Sequence, residues 1–502
     1  MFQPSRGCQR GLFTLWDKGK NCITFSERKT NFGRERMTVS KTRGEPSTST
    51  NLKEALCEKI PVHHDLLRYI RRNFGPNIVS QITIDSLYDG LNDVKSIVKE
   101  TSEIDPKHGL MFRGLTLPEV ITLLPRQGNS PSAEAVFWLL LTGDIPTQQQ
   151  TASLIADWTS RRQKCVEWWS GPRGETIVSV LRSMPEAITP MHRLSIALTI
   201  FNISKQAKEA KRYGAMPYTY WEYAYEDGME LLATLPAIVG LVAKKKMLTN
   251  VNYDCDWVQF LLECLTNINE SFDSQKPSIA DFLRLYITLN ADDDGGAPAA
   301  HVTHILGATD LHINEVLSSS VLAYIDEPKS GTMSQWKELQ TKVQNALGQA
   351  WTEQALRTHV LNLCSRDKLI GHKEADFSDP RYTALLDYSR QHFPNNSEIK
   401  LSRDITRILQ SELQTPKKQP LYPEQSIIAS IIFQRYGLTD MSFNQTILYM
   451  ARTLGIIASI IWTKVVNAPV EHPISMCTYS YIESARDESA KKHKKSRTHW
   501  PL

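Results

Sequence analysis

Gly371-His372 and, seven residues beyond the histidine, Asp379-Pro380-Arg381 combine an imidazole beside a glycine with an arginine. Glycine permits close backbone approach, and a fixed guanidinium can clamp a carboxylate through two N–H groups. Asp292-Asp293-Asp294-Gly295-Gly296 sets three carboxylates before a glycine pair, a composition that can hold a hard cation. The alternating oxygen rhythm of a calcium loop is absent, so the spacing predicts a helix-end turn of solvated acids. His301-x-x-His304 puts two imidazoles on one helical face. No third ligand is signalled, so the pair reads as structural and no metal site is expected. Eight cysteines without a C-x-x-C pair suit a reducing compartment.

The elements that must position these residues are helical almost throughout. Ala135 to Leu141 is an apolar helix stopped by Thr142-Gly143 and Pro146. Trp221 to Leu235 and Asn444 to Trp462 carry apolar residues at helical spacing, interrupted by Gly and Pro. Strand candidates are few, chiefly Ile78 to Ile84 and Gly109 to Phe112. The architecture this implies is all-α, helices packed on helices. Leu454 to Trp462 is the most apolar stretch, yet it lies between Arg452 and Lys464 and is shorter than the ~20 residues a bilayer needs. It predicts a core helix and no membrane insertion.

The 502 residues carry a net charge of +4 and a mean hydropathy of −0.33, which excludes disordered and collagen-like chains. That near-neutral total conceals a division. The first 45 residues hold ten basic groups against four acidic ones, and residues 483–502 hold six against three. The body between them is therefore acidic, at −5. The basic segment 1–48 reads as a mitochondrial transit peptide or an untargeted tail. The basic tail 483–502 reads as a solvated terminus, and no aromatic platform accompanies it, so no nucleic-acid partner is expected.

Colinear motifs from about Ser49 to about Ser480 make the chain resemble the eukaryotic, mitochondrial type of citrate synthase. They include Gln81-Ile82-Thr83, Glu100-Thr101-Ser102, Phe112-Arg113-Gly114, and the stretches Thr142 to Thr147, Tyr220 to Asp227 and Leu283 to Leu289. Asp379-Pro380-Arg381-Tyr382 and Arg452-Thr453-Leu454-Gly455 complete the series. The resemblance implies an all-helical homodimer with a large domain (49–327, returning at 438–482 with a C-terminal arm) and a small domain (328–437). It implies condensation of acetyl-CoA with oxaloacetate, with acetyl-CoA as co-substrate and no cofactor. Family members use a His and an Asp around the acetyl group, two further His on oxaloacetate, and three Arg, one of them from the other subunit.

Carried over residue by residue, that site is only partly present. His372, Arg381 and Arg452 match the carbonyl-polarising His and two carboxylate-clamping arginines. Asp293 stands where a His should face oxaloacetate, and a carboxylate there repels a dicarboxylate. In the turn Pro328-Lys329-Ser330-Gly331, Ser330 replaces the enolate-stabilising His. Ser426 replaces the catalytic Asp, and a serine without an activating base cannot act as one. His472 takes the place of the arginine supplied across the dimer. Asp376 and Asn92 stand in place of CoA-binding arginines. The expected protein is a pseudoenzyme of the mitochondrial matrix (alternatively the cytoplasm), a homodimer or a heterodimer with an active citrate synthase, with groups that could bind a small carboxylate. The alternatives are a citrate synthase with a remodelled site and a condensing enzyme for another acyl-CoA or oxoacid.

Overall fold

The computed structural model describes residues 12–16, 22–28, 36–39, 45–92, 94–201, 206–273, 277–325, 332–348, 350–363, 370–412 and 420–486. The chain divides into two units, 1–468 and 469–502. In the first unit, helices dominate the described residues, and the strands are short. Leu12–Trp16, Cys22–Arg28 and Arg36–Val39, inside the basic N-terminal segment, pair as an antiparallel sheet. The rest of 1–44 lies outside the described residues, as does the tail from residue 487.

The core is built around Tyr220–Lys244 and Met441–Val465, which pack on one another. Pro236 is accommodated inside the first of these helices, so the break expected there does not occur. Met441–Val465 is long and apolar enough to cross a membrane, but 78% of its most apolar window is buried inside the protein, as a core helix requires. Ala133–Thr142 is buried along its whole length and ends at Gly143. Gly109–Phe112 is a strand, paired with Ser102–Asp105. Ile78 to Ile84 is not one: residues 77–83 run without regular structure to Thr83, which caps the short helix Ile84–Tyr88. Ile78, Val79 and Ile82 there are exposed, and no neighbouring strand among the described residues completes a ladder.

Several of the sequence motifs hold termini together. Arg113 donates from Nε to the Leu140 carbonyl (2.8 Å) and from Nη2 to that of Leu141 (3.1 Å), serving the last turn of Ala133–Thr142. Asp144 pairs with Lys59 (2.8 Å) and accepts the Ser47 N–H (3.0 Å). Asp227 accepts the N–H groups of Gln206 and Ala207, each at 3.0 Å. A second, smaller core gathers Trp336, Leu339, Val343, Leu356, Leu401, Ile405, Leu421 and Ile427. The strand His372–Glu374, paired antiparallel with Leu421–Pro423, runs beside it.

In the second unit, residues 469–477 have no regular structure and 478–486 form a helix.

Candidate functional site

Gly371 and His372 enter the strand His372–Glu374 through a backbone turn that only glycine adopts readily, with φ of 67° at Gly371. A Cβ there would lie 2.8 Å from Ile427 Cγ1, so a larger residue would push the strand off the helix Gln425–Arg435. Glu424 N–H closes the junction by donating to the Gly371 carbonyl (2.7 Å). The His372 ring is only 6% exposed. Its Nδ1–H donates to the Ile370 carbonyl (2.9 Å), and Nε2 faces the Thr406 hydroxyl (2.9 Å), which also has the Ser402 carbonyl within reach (2.9 Å). Burial pushes the imidazole down to about 4, so it is neutral at pH 7 with both nitrogens engaged.

Asp379 caps the helix Pro380–His392, accepting the Arg381 N–H (2.9 Å). Its carboxylate also receives Arg381 Nη2 (2.8 Å) and Nε (3.1 and 3.2 Å), with Lys373 Nζ at 3.8 Å. Burial opposes ionisation of Asp379, but the Arg381 guanidinium outweighs it and holds the carboxyl down to about 2. Arg381 therefore already has a bidentate carboxylate partner from its own chain.

The Asp292-Asp293-Asp294 turn corrects the sequence expectation. Only Asp294 is exposed. Asp292 is 2% exposed and paired with Lys99 (2.6 Å), while Asp293 forms an ion pair with Arg452 on Met441–Val465. Burial would raise the Asp293 carboxyl, yet Arg452 and Arg381 together keep it below its ordinary value. The turn sits so close to that helix because Gly455 has no side chain. Its N–H donates to the Ala291 carbonyl (2.8 Å), and a Cβ would overlap the Asp292 carboxyl group. Lys99 was not singled out from the sequence. Its partners are 193 and 194 positions away, so no local spacing could reveal it.

A buried amide pair joins the two halves of the site. Asn290 Nδ2 donates to Gln425 Oε1 (3.1 Å), and Gln425 Nε2 returns a bond to Asn290 Oδ1. This places the residues before Asp293 against those before Ser426. The Ser426 hydroxyl is buried and has no hydrogen-bond partner among the described residues. Of the other expected positions, Asp376 is exposed on a bend after the strand, and Asn92 is exposed and donates to the Asp89 carbonyl (2.6 Å). His472 is exposed in the second unit. Ser330 lies outside the described residues. His301 and His304 are half-buried on the helix Pro298–Gly307, and no group of three potential metal ligands occurs among the described residues.

Residues 90–474 match the family model described as citrate synthase, C-terminal domain. A protein of Caenorhabditis briggsae named probable citrate synthase, mitochondrial, is 30% identical over 450 residues, covering 87% of this chain and 92% of its own length. The chain belongs to the citrate synthase family.

The mitochondrial citrate synthase of Xiphias gladius is 29% identical over 452 residues, again covering 87% of this chain and 92% of its own. Both names carry the compartment expected from the basic N-terminal segment. Among solved structures, the citrate synthase from Pyrobaculum aerophilum aligns at a TM-score of 0.65 and 19% identity, over 80% of this chain and 95% of that one. The Thermoplasma acidophilum enzyme, solved with carboxymethyl coenzyme A and oxaloacetate, aligns at 0.60 and 13% identity, over 80% of this chain and 97% of that one. These likenesses establish the all-helical citrate synthase fold.

Proposed function

We propose that this protein keeps the citrate synthase fold with little or no condensing activity, acting in the mitochondrial matrix as a dimer with itself or with an active relative. The observation that carries this reading is Ser426. The condensation needs a base to remove a proton from the acetyl methyl group. The position matched to that base offers a buried hydroxyl with no partner among the described residues to activate it. Neighbouring groups do not compensate. His372 has both nitrogens occupied, and the carboxylates of Asp293 and Asp379 are tied to guanidiniums that weaken them as bases. The family's chemistry takes acetyl-CoA as co-substrate and needs no resident metal or cofactor.

The test is thiol release by purified protein supplied with acetyl-CoA and oxaloacetate. The expected rate is at least about 10²-fold below an active relative assayed beside it, the least a missing acid–base group removes. A comparable rate would sink the proposal. Restoring Ser330→His and Ser426→Asp in one chain then asks whether the scaffold still supports chemistry.

A further inference from the structure

Arg452 and Arg381 are the two matched carboxylate clamps, and each is held by an acid of the same chain: Arg452 by Asp293, Arg381 by Asp379. The third cation of the cluster, Lys99, is held by Asp292. With Lys373, 3.8 Å from Asp379, and Glu424, whose charge acts on Arg381, the four cations Lys99, Lys373, Arg381 and Arg452 face the four carboxylates Asp292, Asp293, Asp379 and Glu424, and the cluster is neutral without any ligand. A site meant for a dicarboxylate needs an excess of positive charge, because a neutral, half-dry cluster offers no net attraction to offset the cost of desolvating a −2 ligand.

The Asp293 carboxylate is held in place rather than incidentally near. Lys99 Nζ (2.5 Å) and Ser102 Oγ (2.6 Å) both donate to the Asp293 carbonyl, and the Asp293 N–H donates to Asp292 Oδ1 (2.9 Å). With its backbone pinned on both sides and Gly455 drawing the turn onto Met441–Val465, the side chain is presented to Arg452 on the same helix. The cavity beside the pair, lined by Asp292, Asp293, Tyr324, Tyr449 and Arg452, offers about 10 Å³. That is at the threshold for a single water molecule.

We infer that Asp293 is a built-in carboxylate ligand of Arg452, which closes the site to external dicarboxylates and determines what charge it will accept. This inference rests on the proposed function, since the same cluster would have to receive oxaloacetate in an active enzyme. Removing the Asp293 charge leaves the cluster at +1, which calls for one carboxylate from solution.

The experiment compares the unchanged chain, Asp293→Asn and the double variant Asp293→Asn/Arg452→Gln. Thermal unfolding is followed at constant ionic strength with acetate or succinate replacing chloride. The expected result is a Tm of Asp293→Asn that climbs with carboxylate concentration. Its half-saturation should be at least about tenfold lower than in the unchanged chain, and the double variant should lose the response. Equal responses of the unchanged chain and Asp293→Asn, or a response that survives in the double variant, would overturn the inference. If Asp293→Asn is too unstable to purify in chloride, the yield of folded protein in acetate against chloride becomes the readout, and equal yields overturn the inference as well. An unresponsive, folded Asp293→Asn beside an inactive unchanged chain removes this inference alone. Thiol release by the unchanged chain removes the proposed function with it.

Discussion

His372 should make the folded protein sensitive to mild acid, and the size of the effect follows from its burial. The ring is 6% exposed and donates through Nδ1 to a carbonyl, so accepting a second proton would place a cation in the core beside Trp336. Its folded value of about 4 compares with an ordinary value of 6.5. At 1.36 kcal/mol for each pKa unit, that difference corresponds to about 3 kcal/mol. Because the folded value is depressed, the unfolded chain binds the proton first as pH falls. Stability from this group is complete above about 6.5, declines between 6.5 and 4, and falls no further below that. The perturbation is His372→Asn, which retains an amide N–H for the Ile370 carbonyl but cannot titrate. Urea unfolding of both proteins at about pH 7.5 and pH 4.5 separates this titration from the cost of reshaping the core, which is the same at both. The stability advantage of the unchanged chain should shrink by about 2 to 3 kcal/mol on acidification. Parallel pH profiles for the two proteins would refute the assignment of His372 as a buried neutral imidazole.

Two further substitutions test the packing of the site. Asp379→Asn leaves Arg381 buried without its bidentate partner and should cost about 3–5 kcal/mol in urea unfolding near pH 7. The Asp379 carboxyl is depressed to about 2, so its stabilisation is present above an ordinary 3.8 and is lost as pH falls towards 2. The variant should therefore lose less stability than the unchanged chain over that window. Gly455→Ala places a methyl group on the Asp292 carboxyl and should lower stability by about 1–3 kcal/mol in thermal unfolding, whereas a change below ~0.5 kcal/mol would contradict the close approach.

Much of the scaffold could be read along the chain because its causes are local. The apolar run behind Ala133–Thr142 and the helical spacing behind Tyr220–Lys244 and Met441–Val465 repeat at the period of an α-helix. Where local reading failed, a nonlocal effect prevailed. Ile78 to Ile84 has strand-forming residues but no partner strand among the described residues. Tyr220–Lys244 continues through Pro236 because packing along its buried length outweighs one lost hydrogen bond.

At the site, the resemblance carried by the motifs marked the positions to watch, with His372, Arg381 and Arg452 expected as kept and Asp293 and Ser426 as exchanged. That a serine without an activating base cannot itself serve as one follows from hydroxyl chemistry. Charge pairing across the fold was different. Three consecutive aspartates look like a solvated turn because in sequence they have only one another. The fold brings Lys99 and Arg452 to them from positions 193 residues before Asp292 and 159 residues after Asp293. Asp293, which in sequence is one of three adjacent acids, becomes once folded the ion-pair partner of Arg452. Side-chain identity is written locally, but whether a charge is solvated, paired or ligand-like depends on which distant groups share its low-dielectric surroundings.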